Sequence, residues 1–243
     1  MTRLSLPLPV RKRFFLFRTE MDRVLALSIL FSCILVGIRV FHTGRLTFIW
    51  MIWNLFLAYV PYAISTALTI RQHVKPIRRQ EQRYWKPIRI LLFLVWLLFI
   101  PNSFYILTDL FHLADGHRNS RVPEWFDLTL ILSFAWNGLL LGVLSTRQIE
   151  RLLAPEASTA GRLVFLYPVM WLNALGVYIG RFLRYNSWDI VANPFALLTD
   201  IFGMILHPLR HHYAWDMIFC YSVLLTLIYL ALDKITNRAA TRD

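Results

Sequence analysis

Residues 88–107 read IRILLFLVWLLFIPNSFYIL, with Arg89 the only charge in the run. About 20 mostly apolar residues, rising about 1.5 Å each as a helix, match the roughly 30 Å hydrocarbon thickness of a bilayer. A helix on the surface of a soluble protein keeps a polar face, and this stretch has none over most of its length. It therefore reads as a membrane span. Working outward, five more stretches read the same way: 24–41, 46–70, 125–145, 163–183 and 215–232. All six are predicted to be helical, because backbone in lipid must satisfy its own hydrogen bonds and the period-two alternation of a barrel is missing. Composition agrees. Hydrophobic residues make up 57% and charged residues 16%, against about 25% charged in an ordinary soluble domain. The mean hydropathy of +0.51 excludes a disordered chain as well as a soluble globule. The expected fold is an all-α integral membrane protein with a basic cytoplasmic segment 1–23, a single membrane domain 24–232 and a cytoplasmic tail 233–243. No small-residue cleavage site follows the first run, so it reads as a retained span rather than a removed leader.

Two spans carry prolines. A kink is expected at Pro61 in the second, and an interruption at Pro101-Asn102 in the third. A further apolar stretch, 194–206, begins with a helix-start signal, Asn193 as cap and Pro194 in the first turn. Thirteen residues rise only about 20 Å, too little to cross. This stretch is predicted to be a re-entrant or interfacial helix.

Charge sets the orientation. Net charge is +12, and 19 of the 26 Lys and Arg fall in the segments that six spans place on one side. The acidic residues divide evenly. By the positive-inside rule both termini are expected in the cytoplasm. The basic loop 71–89 reads as a topology and lipid-headgroup signal rather than a nucleic-acid site. Cys33 and Cys220 both lie in apolar runs, so no disulfide or zinc spacing is visible.

The unusual polar residues collect on the opposite, outer side. Asn102, Tyr105, Asp109 and His112 fall within an arc of about 80° on an α-helix, forming one stripe toward the outer surface. Such groups face protein or a wet cavity. Asp127 adds an acid at the outer end of the fourth span, with Ser133 and Asn137 deeper. On the fifth span, Asn173, Gly176, Gly180 and Arg184 share another arc, and the two glycines admit a close neighbour, with Asn54 and Ser65 as candidates for the facing surface. The densest motif follows: Arg181, Arg184, Tyr185, Asn186, Trp188 and Asp189 within nine residues. Arginine forks suit phosphate or carboxylate.

The site expected from these residues takes an anionic, lipid-linked or phosphate-bearing ligand at the extracytoplasmic face. Arg181 and Arg184 would clamp the anion, with Asn102, Tyr105, Asn186 and Trp188 as ligand contacts. Asp109, Asp127 and Asp189 would accept protons or hold a cation, and His112 would shuttle a proton. A structural alternative has the arginines pairing with Asp109, Asp127 or Asp189 to close the top of the bundle. Two other classes stay open: a solute or proton transporter lined by the polar stripe, and a non-catalytic assembly subunit whose polar groups all pair with one another. His207, His211 and His212 read as headgroup contacts rather than metal ligands, because Pro208 breaks the helical spacing. No standard catalytic or cofactor-binding motif is present, and neither a metal nor a cofactor is assigned.

Residues 101–113 (PNSFYILTDLFHL), 123–127 (PEWFD), 138–142 (GLLLG) and 180–189 (GRFLRYNSWD) together resemble a bacterial family of multi-pass membrane proteins, domain of unknown function 1361. The resemblance spans about 89–206, with Tyr185 where the family usually has Trp. It implies an inner-membrane location and carries no activity.

Overall fold

A computed structural model describes residues 20–74, 79–113, 122–153, 159–187 and 189–240. Within them the chain is helical, and six helices are long and apolar enough to cross a membrane. They are α1 (Glu20–Thr43), α2 (Trp50–Val74), α3 (Arg79–Tyr105), α4 (Glu124–Leu153), α5 (Thr159–Arg181) and α8 (His212–Ala240). A 3-10 segment, Ile106–His112, continues α3. Two short helices, α6 (Asp189–Ala192) and α7 (Pro194–Leu206), lie between α5 and α8.

The spans outrun the apolar stretches that predict them. The fourth extends two turns beyond Ser145 to Leu153, and the sixth continues past Leu232 to Ala240. The reason is pairing: Arg147, Glu150 and Asp233 lie in these extensions and meet one another's partners there. The second span starts later than predicted, because the chain turns at Phe48 with a left-handed φ of 68° before the helix begins.

Neither proline ends its helix. Pro61 lies inside α2, and Pro87 and Pro101 lie inside α3. The predicted break at Pro101-Asn102 is displaced to Tyr105, where the α-helix gives way to the 3-10 turns. Proline removes one ladder bond, whereas unravelling in lipid would strand several. Hydroxyls from neighbours cover the backbone around Pro61. Ser103 Oγ donates to the Ala58 carbonyl at 2.8 Å, and Ser145 Oγ to the Pro61 carbonyl at 3.0 Å.

The fourth span is the hub. Of its most apolar stretch 61% is buried, against 28–33% for the other five. It packs against α1, α2, α3, α5, α8 and the 3-10 segment. Two glycine pairs explain how α3 comes so close. A Cβ at Gly138 would sit 2.5 Å from the Ser103 carbonyl oxygen, and one at Gly142 2.7 Å from the Phe104 ring. From the other side, a Cβ at Gly176 would sit 2.6 Å from Pro101, and one at Gly180 3.3 Å from Tyr105. The glycine face of α5 thus receives α3, not the Asn54–Ser65 face of α2 that the sequence nominated.

Candidate functional site

Asp109 is fully buried where the 3-10 segment meets α2 and α5. Asn54, one turn into α2, donates to its Oδ2 at 3.1 Å. Arg181, the last residue of α5, reaches Oδ1 through one amino nitrogen at 3.5 Å. That same nitrogen lies 3.4 Å from the Tyr105 hydroxyl. The guanidinium carbon is 5.8 Å from the centre of the Tyr105 ring and 5.5 Å from that of Phe111, within cation–π range. Arg181 is therefore held loosely by its carboxylate and flanked by two rings. Its Nε and second amino group have no protein partner among the described residues. Its side chain keeps 13% of its surface exposed.

The predicted stripe from Asn102 to His112 is recovered in altered form. Asn102 and Tyr105 sit on the α-helix, but Asp109 and His112 sit on the 3-10 segment, where residues three apart eclipse each other. Asn102 donates to Ser187 Oγ at 2.9 Å and so ties α3 to the loop after α5. The His112 ring packs edge-on against Trp50, with centroids 5.1 Å apart.

The two arginines do not form a helical pair. The helix stops at Arg181, and Arg184 lies beyond it, exposed, with a left-handed φ of 61°. A non-glycine residue at such a φ carries local strain. The turn holds this shape through its own bonds, with the Tyr185 amide donating to the Ile179 carbonyl at 3.3 Å. The Tyr185 hydroxyl donates to Asp200 Oδ2 at 2.9 Å, linking the turn to α7. That bond to a carboxylate, with a little burial, pushes the Tyr185 phenol above its ordinary range.

Asp189 caps its own turn. Its Oδ2 accepts from the backbone N–H and side-chain amide of Asn186, at 2.5 and 3.3 Å. Asp127 is placed elsewhere: Arg39 of α1 grips both its oxygens, at 2.7 and 3.0 Å, with the Phe48 ring 4.6 Å from the guanidinium. The structure thus gathers Asp109, Tyr105 and Arg181, leaves Arg184, Asn186 and Asp189 in the adjoining turn, and commits Asp127 to an ion pair. Trp188 lies outside the described residues. No three His, Cys, Asp or Glu side chains converge among the described residues.

A sequence profile described as Protein of unknown function (DUF1361) matches residues 53–228. The chain belongs to this family. The match takes in nearly all of α2 and most of α8, so it is wider than the 89–206 stretch carrying the resemblance. Asn54, Asp109 and Arg181 fall within the DUF1361 match, whereas Arg39 falls outside it. No curated protein and no solved structure matches the chain.

Sequence reasoning missed a second polar centre at the opposite end of the bundle. Glu150 of α4 accepts from Arg162 of α5 at 2.5 and 3.2 Å and from the Tyr229 hydroxyl of α8. Arg162 also bonds Asp233 at 2.8 Å, and Arg147 lies 3.0 Å from that carboxylate. The available signal was Arg147 and Glu150 one turn apart on a helix that continues the fourth span. Read as loop charges, they disclose no partner.

Proposed function

We propose that this DUF1361 protein binds an anionic ligand, phosphate- or carboxylate-bearing and lipid-linked, at the mouth formed by α3, the 3-10 segment and α5. The observation that carries this reading is Arg181, a partly buried guanidinium whose Nε and second amino group have no protein partner among the described residues while its carboxylate stands 3.5 Å away. A guanidinium that serves only to close a bundle ordinarily makes a two-pronged bond, as Arg39 does with Asp127. An oxyanion would take the open prongs, with the exposed Arg184 as second cation. Asp109, buried and fixed by Asn54, would act by orienting Arg181 toward the bound anion.

The charge asymmetry supports placing both termini in the cytoplasm and this mouth on the extracytoplasmic side. The family resemblance supports a bacterial inner membrane. We read 24–232 as one membrane domain. Transport is less well supported. On α4, 18 residues separate Asp127 from Ser145, about 27 Å; between them Phe104, Ile106, Phe134 and Leu141 are fully buried, and the buried amides are engaged by protein, Asn137 donating to Ser32 Oγ and the Ser133 carbonyl and Asn173 to the Val169 carbonyl.

The test is anion binding by protein in phosphatidylcholine nanodiscs, with inorganic pyrophosphate and a short-chain phosphatidic acid as probes. Arg181→Gln is expected to weaken both by about tenfold or more, the scale of a charge-assisted hydrogen bond. Preference for the phosphatidic acid supports a lipid-linked ligand, and preference for pyrophosphate a soluble one. Unchanged affinity in a folded Arg181→Gln protein, or no binding by the unaltered protein, refutes the proposal.

A further inference from the structure

Helix α7 has no full place in the bundle. Only Leu197 and Met204 are buried, seven residues apart on one narrow seam. At about 100° per residue, Phe195, Leu198, Phe202, Ile205 and Leu206 fall within an arc of about 100° on the face turned away from that seam. All five are large and apolar, and four are more than half exposed, with Phe195 at 82% and Leu206 at 71%. The single charge on the helix, Asp200, lies outside this arc and is engaged by Tyr185. Such a face is stable in acyl chains and unstable in water.

The chain leaving α7 supplies the matching polar part. His207, Arg210, His211 and His212 follow within six residues, and no Asp or Glu occurs from Ile201 to Trp215. The turn is built, with the amides of Arg210 and His211 both donating to the His207 carbonyl at 3.1 and 3.2 Å. Leu206, His207, Pro208, Leu209 and Arg210, five consecutive residues, form the open surface of this turn. Leu209 is 89% exposed and Tyr213 79% exposed, beside the basic groups rather than under protein. Apolar groups lie beside Arg210 and the imidazoles here, as they do where a side chain meets a lipid headgroup.

We propose that α7 lies in the leaflet at the Arg181 end of the bundle and that the 206–212 turn seats the headgroup of an anionic phospholipid. The acyl chains cover Phe195, Leu198, Phe202 and Ile205, and the phosphate faces Arg210 and His207. Charge complementarity selects a phospholipid over a second copy of this chain, which would bring Arg210 against its own counterpart. This seat is separate from the Arg181 site and stands whether or not that site binds an anion.

The experiment places a photoreactive benzoylphenylalanine at Leu209 in the full chain. The protein is reconstituted in vesicles of roughly four parts phosphatidylcholine to one of phosphatidylglycerol, a modest anionic fraction, and the crosslinked lipid is identified by mass spectrometry. Phosphatidylglycerol should be enriched over its share of the bilayer by about fivefold, the factor expected for one basic residue at an anionic surface. Arg210→Gln should abolish the enrichment and Arg210→Lys should retain it. A parallel probe at Phe202 reports acyl-chain contact and does not depend on the Arg210 variants. Recovery of the two lipids in proportion to their abundance overturns the proposal. So does crosslinking to a second copy or to another protein, and so does the failure of both probes to capture lipid.

Discussion

Asp127 and Arg39 offer the sharpest test of how this bundle is held. Both side chains are excluded from solvent, at 0% and 2% exposed, and they meet through two bonds of 2.7 and 3.0 Å. Removing one member leaves a buried charge without its counter-ion, at a cost of about 3–5 kcal/mol. When Asp127 is removed, the Phe48 ring, 4.6 Å from the remaining guanidinium, offsets only a part of that, on the order of 1 kcal/mol; when Arg39 is removed, the ring offers the carboxylate nothing. Asp127→Asn and Arg39→Gln should therefore each destabilise by about 3 kcal/mol or more. The double change Arg39→Met with Asp127→Leu removes both charges and should return to within about 1–2 kcal/mol of the unaltered protein. The assay is reversible unfolding in mixed micelles by titration with dodecyl sulfate, followed by tryptophan fluorescence. The two sites should couple by at least about 2 kcal/mol. Single losses below about 1 kcal/mol, or a double variant equal to the sum of the singles, would refute the pairing. The double variant should also keep its affinity for pyrophosphate, because Asp127 spends both oxygens on Arg39 and not on Arg181.

The glycine notches give a contrast within one protein. Gly138→Ala pushes a Cβ to 2.5 Å from a backbone oxygen and should cost about 1–3 kcal/mol in the same titration, whereas Gly37→Ala meets nothing within 4 Å and should be neutral or stabilising by up to about 1 kcal/mol. At the opposite end of the bundle, Glu150→Gln keeps an acceptor for Tyr229 but removes the charge facing Arg162. Arg162 is 33% exposed and retains Asp233, so the expected loss is about 1–2 kcal/mol rather than the full cost for a buried pair. Double-mutant cycles with Arg162→Gln measure that coupling directly.

Much of the fold was legible because the bilayer imposes a local rule. A run such as 88–107 must be helical and about 20 residues long whatever it packs against, so existence and number of spans follow from composition. That 194–206 forms a helix shorter than the six long ones follows from the length of its apolar run. The polar groups near Asp109 and Arg181 were legible for the same reason, since they stand out against an apolar background, whereas Arg147, Glu150 and Asp233 at the opposite end read as loop charges. Partners were not legible. Asn54 with Asp109, Arg39 with Asp127 and Arg162 with Glu150 and Asp233 join separate helices, across sequence separations of 55, 88, 12 and 71 residues.

The sequence by itself determined six helices long and apolar enough to cross a membrane, a shorter apolar helix, and an uneven division of Lys and Arg among the segments that join them. These depend on hydrophobicity and rise per residue, which each segment carries alone. Only the tertiary structure decided which acid serves which arginine, because helix rotation and glycine-limited approach set the side-chain distances. It placed Asp127 in a closed two-pronged ion pair while holding Arg181 to Asp109 through one nitrogen at 3.5 Å. It also ended α5 at Arg181 and turned the chain left-handed at Arg184, a change of direction fixed by hydrogen bonds of the turn and its tie to α7 rather than by any periodicity in the residues.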